Sequence, residues 1–452
     1  MSSFAVDEEK LMNRLRWRII PYVMVLFIVT IIDRVNIGYA ALGMNKDLGI
    51  SMTVFGTLGG IFYITYFIFE VPSNVILHRV GARVWISRIM ISWGIITVLI
   101  GFARNVTEVA ICRLLLGAAE AGFYPGIILY FTYWFPAKHH ARAVSLFGIG
   151  MLVANIVGGP LATWMLDNMR WFELAGWRWI FIMEGILTVV FGVLTLFILV
   201  NRPNEATYLN EDEKKWLAAR LTAEQEARTH VVKMSKWGTL KNGRVWYFTL
   251  CYFGYSVGSS LLIFWMPQIL KPLSSVLTNT RVGWISSIPY VCGIISMVMI
   301  GRHSDKAMER RWHAGLSMGV MVLGLIGLTL THNLVLSVIL LCLAASGIYS
   351  FFGVFWALPT ALLGEATAAV GIAMINSIGH LGSFVGAQFF GLLADLTKST
   401  VAGTYFTATF VLMTTILTIC VPKKHEKAAI GGVALSEAPN EKNQSPIRAR
   451  VT

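Results

Sequence analysis

The segment Gly301-Arg302-His303-Ser304-Asp305-Lys306 is a short polar stretch between two long apolar runs. A related segment, Asn74-Val75-Ile76-Leu77-His78-Arg79-Val80-Gly81-Ala82-Arg83, follows an apolar run much earlier in the chain. Glycine beside basic side chains is typical of a tight turn after a helix. Because this loop chemistry occurs at matching places, the sequence predicts two similar halves.

The composition excludes an ordinary soluble protein. Hydrophobic residues make up 56 % of the 452 residues and charged residues only 13 %. Twelve apolar runs are long enough to cross roughly 30 Å of hydrocarbon as helices. The sequence therefore predicts an all-α protein embedded in a lipid bilayer, with twelve transmembrane helices in two six-helix bundles. The predicted spans are 19–41, 53–77, 84–103, 106–133, 141–166, 177–200, 245–270, 282–300, 314–331, 334–363, 368–394 and 401–421.

A polar segment at 201–244 separates the first six spans from the last six. We expect a first bundle at 1–200, a cytoplasmic linker at 201–244, a second bundle at 245–421 and a disordered cytoplasmic tail at 422–452. Asn210 followed by Glu213 is typical of a helix start. Apolar residues at 216, 217 and 221 then lie on one face, which predicts a short amphipathic helix in the linker.

The net charge of +13 does not indicate nucleic-acid binding, because the basic residues are spread over short loops. Loops rich in basic residues alternate along the chain with loops that hold few, as the positive-inside rule describes. We therefore expect both termini in the cytoplasm. We also expect no cleaved signal peptide. The loops predicted to be cytoplasmic hold Arg79, Arg83, Arg88, Lys138, Arg142, Arg302, Lys306, Arg310 and Arg311.

Catalytic and metal-binding patterns are missing from the sequence. Its five cysteines stand alone within apolar runs, without the paired spacing of a metal site or a disulfide framework. No histidine stands in a motif with a nucleophile or metal ligands. We therefore expect no enzymatic activity, no cofactor and no bound metal.

Ionisable residues inside the predicted spans carry the functional signal. The first span contains Asp33 and Arg34, and the fourth contains Arg113 and Glu120. A charge at a helix centre costs roughly 2.5–3.5 kcal/mol on insertion scales, so its presence indicates function. Helical geometry places Arg113 and Glu120 on one face. The simplest arrangement directs Asp33 towards these two residues and Arg34 into a cavity.

Two acids beside two bases suggest how an anion and a proton bind together. A carboxylate bound to one arginine weakens that arginine's pairing with a neighbouring acid, which then takes up a proton more readily. The alternative is a neutral buried network that only holds the helices together.

The two loops quoted above resemble those of the major facilitator superfamily, whose loop reads Gly-x-x-x-Asp-Arg/Lys-x-Gly-Arg/Lys-Arg/Lys. The second copy has Met308 at the glycine position, and the first has Asn74 and His78 where the family has Gly and Asp. This difference puts the family's helix-locking ion pair in doubt in the first half. The residues that match the conformational loops are Arg79, Gly81, Arg83, Gly301, Asp305, Lys306 and Arg310.

A closer resemblance is to the anion:cation symporter family and its bacterial branch for tartrate, rhamnonate and related acids. The matching segments are Asp33-Arg34-x-Asn36-Ile37-Gly38, Tyr66 with Val71-Pro72-Ser73-Asn74, Arg113 through Gly126, Trp134-Phe135-Pro136 with Ala141-Arg142-Ala143, and Phe355-Trp356-x-x-Pro359. The resemblance implies proton-coupled uptake, with Asp33, Arg113 and Glu120 in proton coupling. It also implies a substrate contact at Asn376.

The expected substrate is a small organic carboxylate, such as a sugar acid, a tartrate-like hydroxy acid or an aromatic acid. It would bind to Arg34, Tyr66, Trp356 and Asn376, with His380 a weaker candidate. Each of the polar and aromatic side chains could equally serve helix packing. We expect a monomer in a bacterial inner membrane.

Three functions besides proton-coupled uptake remain open from the sequence. An acid in the first span would suit a carrier that exports cationic or amphipathic drugs, although Arg34 and Arg113 argue against a cationic ligand. The second is a membrane sensor built on a transporter fold, and the third is a passive uniporter.

Overall fold

The structure is a computed structural model that describes residues 6–229, 241–362 and 364–421. Of 225–229, 361–362 and 364–370 only the backbone is described. The predicted disordered tail at 422–452 and part of the predicted linker, 230–240, lie outside the described residues.

Twelve helices in the described residues are long and apolar enough to cross a membrane, which confirms the predicted fold class. We number them as spans 1 to 12 in chain order. The first half contains Glu8–Asp47, Met52–Val80, Ala82–Phe102, Val106–Thr132, Ala137–Asn168 and Gly176–Ile198. The second half contains Gly243–Leu273, Asn279–Ala307, Arg311–Thr329, Leu334–Thr360, Gly371–Thr397 and Thr400–Ile419.

Polar side chains start many of these helices. The side chains of Asp7, Ser51, Asn105, Thr278 and Asn333 each accept a hydrogen bond from a backbone N–H in the first turn. Such caps satisfy backbone donors that have no partner inside the helix. Each of these polar residues therefore fixes the start of a helix just before a long apolar run.

The two halves repeat the same internal packing. In the first half, span 1 packs on span 5, span 2 on span 4, and span 3 on span 6. In the second half the same pairs recur as spans 7 and 11, 8 and 10, and 9 and 12. The halves meet where span 2 packs on span 11, span 5 on span 8, and span 1 on span 7. An approximate two-fold axis therefore relates the halves.

One end of the molecule is closed by a pair of aspartates that cap helices of the opposite half. Asp395, in span 11, accepts hydrogen bonds from Met52 N, Thr53 N and Thr53 Oγ1 at 3.2, 2.7 and 2.6 Å. Asp167, in span 5, accepts from Asn279 Nδ2, Thr280 N and Thr280 Oγ1, each at 2.7 Å. We call Asp167 and Asp395 the cross-half caps. They join the halves at the closed end.

Contacts between the halves become fewer towards the opposite end. Along spans 2 and 11 they run from Thr53 and Asp395 through Thr57 and Gln388 to Glu70 and Ser377. Glu70 lies 17 residues after Thr53, or about 25 Å along the helix. The described hydrogen bonds between the halves end there, so we call the side beyond Glu70 the open end.

The loops that carry the repeated motif lie at the open end. Gly81 and Met308 occupy the motif's glycine position, and both have positive φ, at 96° and 50°. This conformation explains the family's preference for glycine. Asp305 forms an ion pair with Arg310 in the second copy. In the first copy His78 Nδ1 instead lies 3.1 Å from the hydroxyl of Tyr133, the residue that follows span 4.

A surface helix at Glu211–Thr229 lies between the halves in the sequence. Asn210 Oδ1 accepts from Glu213 N at 2.8 Å, and Glu213 Oε2 accepts from Asn210 N at 3.1 Å, which is a reciprocal capping pair. Leu217 is buried, and Arg14 of span 1 forms an ion pair with Glu213 at 3.1 Å. The helix therefore packs against the first half.

Candidate functional site

A buried ion pair joins spans 1 and 4 at the middle of the first half. Arg34 Nε donates to Glu120 Oε1 at 2.6 Å, and Arg34 Nη2 lies 2.6 Å from the same oxygen. The Glu120 side chain is fully buried, whereas that of Arg34 is 19 % exposed. The other carboxylate oxygen, Oε2, has no hydrogen-bond partner among the described residues. Arg34 is thus the accessible partner of an acid that water does not reach.

This pairing corrects the arrangement expected from the sequence. The sequence directed Asp33 towards Arg113 and Glu120 and left Arg34 to a cavity, whereas Arg34 is the residue that pairs with Glu120. Asp33 accepts a hydrogen bond from Thr97 Oγ1 at 3.0 Å in span 3. Arg113 donates to the backbone oxygens of Leu58 and Gly59 at 3.0 and 3.2 Å. The periodicity of one helix shows which residues share a face, but it does not show which neighbour that face meets.

Arg113 is bound more rigidly than Arg34. Its side chain is buried, its guanidinium lies 5.1 Å from the Phe62 ring centroid, and it bonds to backbone of span 2. No salt bridge to Arg113 is present among the described residues. Asp33 is equally buried, and its Oδ2 has no partner in the described part of the chain. Asp33 and Arg113 are thus both buried inside the first bundle, while the Arg34 side chain stays 19 % exposed.

Span 4 is interrupted immediately after Glu120. Its first helix ends at Glu120 and a second begins at Phe123, with Gly122 at φ +88° between them. A Cβ at Gly122 would lie 2.5 Å from Ser73 Oγ of span 2, so only glycine fits this close approach. The break lies directly beside Glu120, and non-helical backbone inside a membrane span occurs where protein buries it or where it lines a water-filled cavity.

Two buried acids were missed by the sequence reasoning. Glu184, in span 6, accepts from Asn36 Nδ2 at 2.6 Å, and its Oε1 has no partner among the described residues. Glu70, in span 2, accepts from Ser377 Oγ at 2.5 Å across the interface of the halves. Both lie inside predicted spans, at 53–77 and 177–200. Their position within apolar runs was the signal that could have found them.

An aromatic wall faces the Arg34–Glu120 pair. The Arg34 guanidinium lies 5.0 Å from the Tyr66 ring centroid. His380 of span 11 stacks on Tyr63 of span 2 at 6.2 Å and contacts the edge of Tyr252 of span 7 at 5.5 Å. Trp356 packs on Tyr252 at 4.9 Å. The structure therefore brings Tyr66, Trp356 and His380 into one aromatic cluster that crosses the interface.

Asn376 lies next to Ser377 in span 11 and is partly exposed. It belongs to the second half and lies one helical turn before His380 of the aromatic cluster. The conformational loop residues do not belong to this site, because Gly81 and Met308 mark loops at the open end. Arg83 N donates to Asn201 Oδ1 at 2.9 Å, which ties its loop to the end of span 6.

Two pseudo-symmetric six-helix bundles are joined at one end, and the first bundle contains a buried charge pair. This is the architecture of a multi-pass membrane transport protein. The chain belongs to the major facilitator superfamily, whose family model matches residues 23–387. This confirms the resemblance of the repeated loops. The relatives are named transporters, and the protein is a transporter rather than an enzyme.

Two relatives and one solved structure illustrate the similarity. A protein of Agrobacterium vitis named "Putative tartrate transporter" is 41 % identical over 93 % of each chain. A "Quinolone resistance transporter" of Acinetobacter baumannii is 33 % identical over 93 % of this chain and 96 % of its own. The crystal structure of a D-xylose-proton symporter shares the fold, with a TM-score of 0.72 and 14 % identity over 91 % of this chain and 99 % of that one.

Proposed function

We propose that this transporter imports a small organic carboxylate together with protons by alternating access. The observation that carries the proposal is the ion pair between a partly exposed Arg34 and a fully buried Glu120. The relative named for tartrate supports an organic-acid substrate. Its name supports the class of substrate and not its identity.

The geometry supports a competition between the substrate carboxylate and Glu120 for Arg34. A guanidinium can hold a carboxylate through two parallel N–H donors, so a substrate anion can replace Glu120 on Arg34. Glu120 then loses the cation that balances its charge inside the protein, and the neutral, protonated acid becomes the favoured form. Anion and proton bind together for this reason. Release follows the opposite order of steps, because a deprotonated Glu120 binds Arg34 again and displaces the anion.

The orientation follows from the basic loops. Arg79, Arg83 and Arg302 lie in the helix ends beside the loops at the open end, where span 1 also begins. The positive-inside rule places such loops in the cytoplasm. We therefore take the open end as cytoplasmic, with both termini on that side of a bacterial inner membrane. The structure then corresponds to an inward-open carrier.

Export of amphipathic drugs is a second candidate, because one relative is named a quinolone resistance transporter. The aromatic cluster around Tyr252 would suit a ring-containing ligand. The two candidates differ in the direction of transport. An importer accumulates its substrate inside vesicles when the outside is acidic, and a proton-driven exporter does not.

The test uses purified full-length protein. Organic acids that raise its thermal unfolding temperature identify a ligand, since a ligand that binds only the folded state stabilises it. The identified acid, radiolabelled, is then offered to proteoliposomes with and without an inward proton gradient. We expect accumulation only with the gradient. Equal uptake in both conditions would exclude symport and leave uniport.

A further inference from the structure

Glu70 is a buried carboxyl that the competition for Arg34 does not use. It lies in span 2, one helical turn beyond Tyr66 in the direction of the open end. Its side chain contacts Ser377 of the opposite half at 2.5 Å. Among the described residues no basic side chain forms a salt bridge with it. A carboxylate in this position is costly to keep ionised, because it is buried and no basic side chain among the described residues pairs with it.

The groups around Glu70 connect it with the Arg34–Glu120 ion pair. Three titratable or charged groups interact electrostatically with Glu70. They are Arg34 of span 1, Tyr66 of its own span and Tyr252 of span 7. Arg34 also holds Glu120. Tyr66, whose ring lies 5.0 Å from the Arg34 guanidinium, precedes Glu70 by one helical turn, so Glu70 lies next along span 2 from the residue that contacts Arg34.

We propose that Glu70 is the second proton-binding carboxyl of the transport cycle and receives the proton that Glu120 releases. This inference rests on the proposed proton coupling. When the substrate anion has displaced Glu120 from Arg34, water that enters from the open end carries the proton of the protonated Glu120 to the Glu70 carboxylate. Glu120, now ionised, re-forms its ion pair with Arg34. Glu70, now neutral, later gives the proton to water at the open end and becomes ionised again.

The position of Glu70 links this transfer to the departure of the substrate. An anion that leaves Arg34 for the open end passes the interface where Glu70 meets Ser377. An ionised Glu70 would repel that anion, whereas a protonated one is neutral and can donate a hydrogen bond to it. The proton therefore occupies Glu70 while the substrate leaves, and an ionised Glu70 opposes its return.

Glu70→Gln and Glu70→Asp in proteoliposomes test the proposal. Glutamine keeps the oxygen that accepts from Ser377 but cannot bind and release a proton. We expect this variant to exchange internal for external substrate within threefold of the wild-type rate, and to lose at least tenfold in gradient-driven accumulation. Aspartate keeps a titratable carboxyl and should restore part of the accumulation. Glu205→Gln, which makes the same chemical change at an exposed site, is the matched control.

Ser377→Ala separates proton transfer from a purely structural contact. If Glu70 only joins the halves, Glu70→Gln would accumulate substrate like the wild type, and loss of the Ser377 hydroxyl would be the more harmful change. That result would overturn the proposal. Loss of both exchange and accumulation in Glu70→Gln, with wild-type behaviour in Glu70→Asp, would also overturn it, because the carboxyl would then be needed for movement itself. Failure of the wild type to respond to a proton gradient would instead overturn the proposed function.

Discussion

In the proposed exchange, the protonation of Glu120 follows the position of one neighbouring side chain, that of Arg34. Protonating an ordinary glutamate at pH 7 costs about 3.7 kcal/mol. Leaving one member of a buried ion pair without its partner costs roughly 3–5 kcal/mol. These two free energies are similar, so the presence or absence of Arg34 beside Glu120 is enough to change the favoured form. A neutral packing network would not need Arg34 to be partly exposed.

Replacing Arg34 by lysine tests the binding role of the guanidinium. Arg34→Lys keeps the positive charge but loses the planar pair of donors, so we expect the affinity for the acid to fall about tenfold, or about 1.4 kcal/mol. Isothermal titration with the purified variant measures this change. Arg281→Lys, at an exposed site, is the matched control. Unchanged affinity in Arg34→Lys would transfer the anchoring role to Arg113.

Replacing Glu120 by glutamine tests the competition directly. An amide competes for Arg34 less well than a carboxylate, so the variant should bind the acid about fivefold to tenfold more tightly. It cannot release a proton, so counterflow should persist while accumulation against a gradient stops. Binding and transport are measured on the same preparation. Normal accumulation by Glu120→Gln would show that Glu120 is structural.

At the scale of the helices, the cross-half caps determine how stable the closed end is. Asp167 lies near the end of span 5, and Asp395 occupies the corresponding place in the second half. Each carboxylate satisfies backbone and hydroxyl donors at the start of a span in the other half. A lost helix cap typically costs about 1 kcal/mol. Separation of the halves at this end breaks both caps, so the caps favour the conformation in which this end is closed.

Removing the cross-half caps should shift the conformational equilibrium. We expect Asp167→Ala and Asp395→Ala each to favour opening of the closed end about fivefold, in line with roughly 1 kcal/mol per cap. Spin labels at Lys46 and Lys398, in a protein without its native cysteines, report the distance across this end by electron resonance. Asp212→Ala, on the surface helix, is the control. An unchanged distance distribution in the double variant would show that the caps do not set the equilibrium.

At the scale of the whole molecule, the fold was predictable because membrane insertion imposes length and hydropathy on every span. The twelve apolar runs and the polar segment at 201–244 were sufficient to predict two bundles. The site was predictable only in part. Asp33, Arg34, Arg113 and Glu120 were visible as charges inside spans, but their pairing depends on how spans 1, 3 and 4 rotate against each other. Glu70 and Glu184 were present in the sequence and were passed over.

The pairing of Arg34 with Glu120 also determines how the carrier responds to the membrane voltage. In the proposed exchange the empty site holds one positive and one negative charge, and the site loaded with a monocarboxylate and one proton is again neutral. Neither form then moves net charge across the bilayer, and uptake of a monocarboxylate is independent of voltage. A dicarboxylate with one proton would carry an extra negative charge, which an interior at −100 mV opposes by about 2.3 kcal/mol. A second proton taken up with the substrate would cancel that charge, so in the proposed exchange the number of protons bound per substrate determines which acids the cell can import against its own electrical potential.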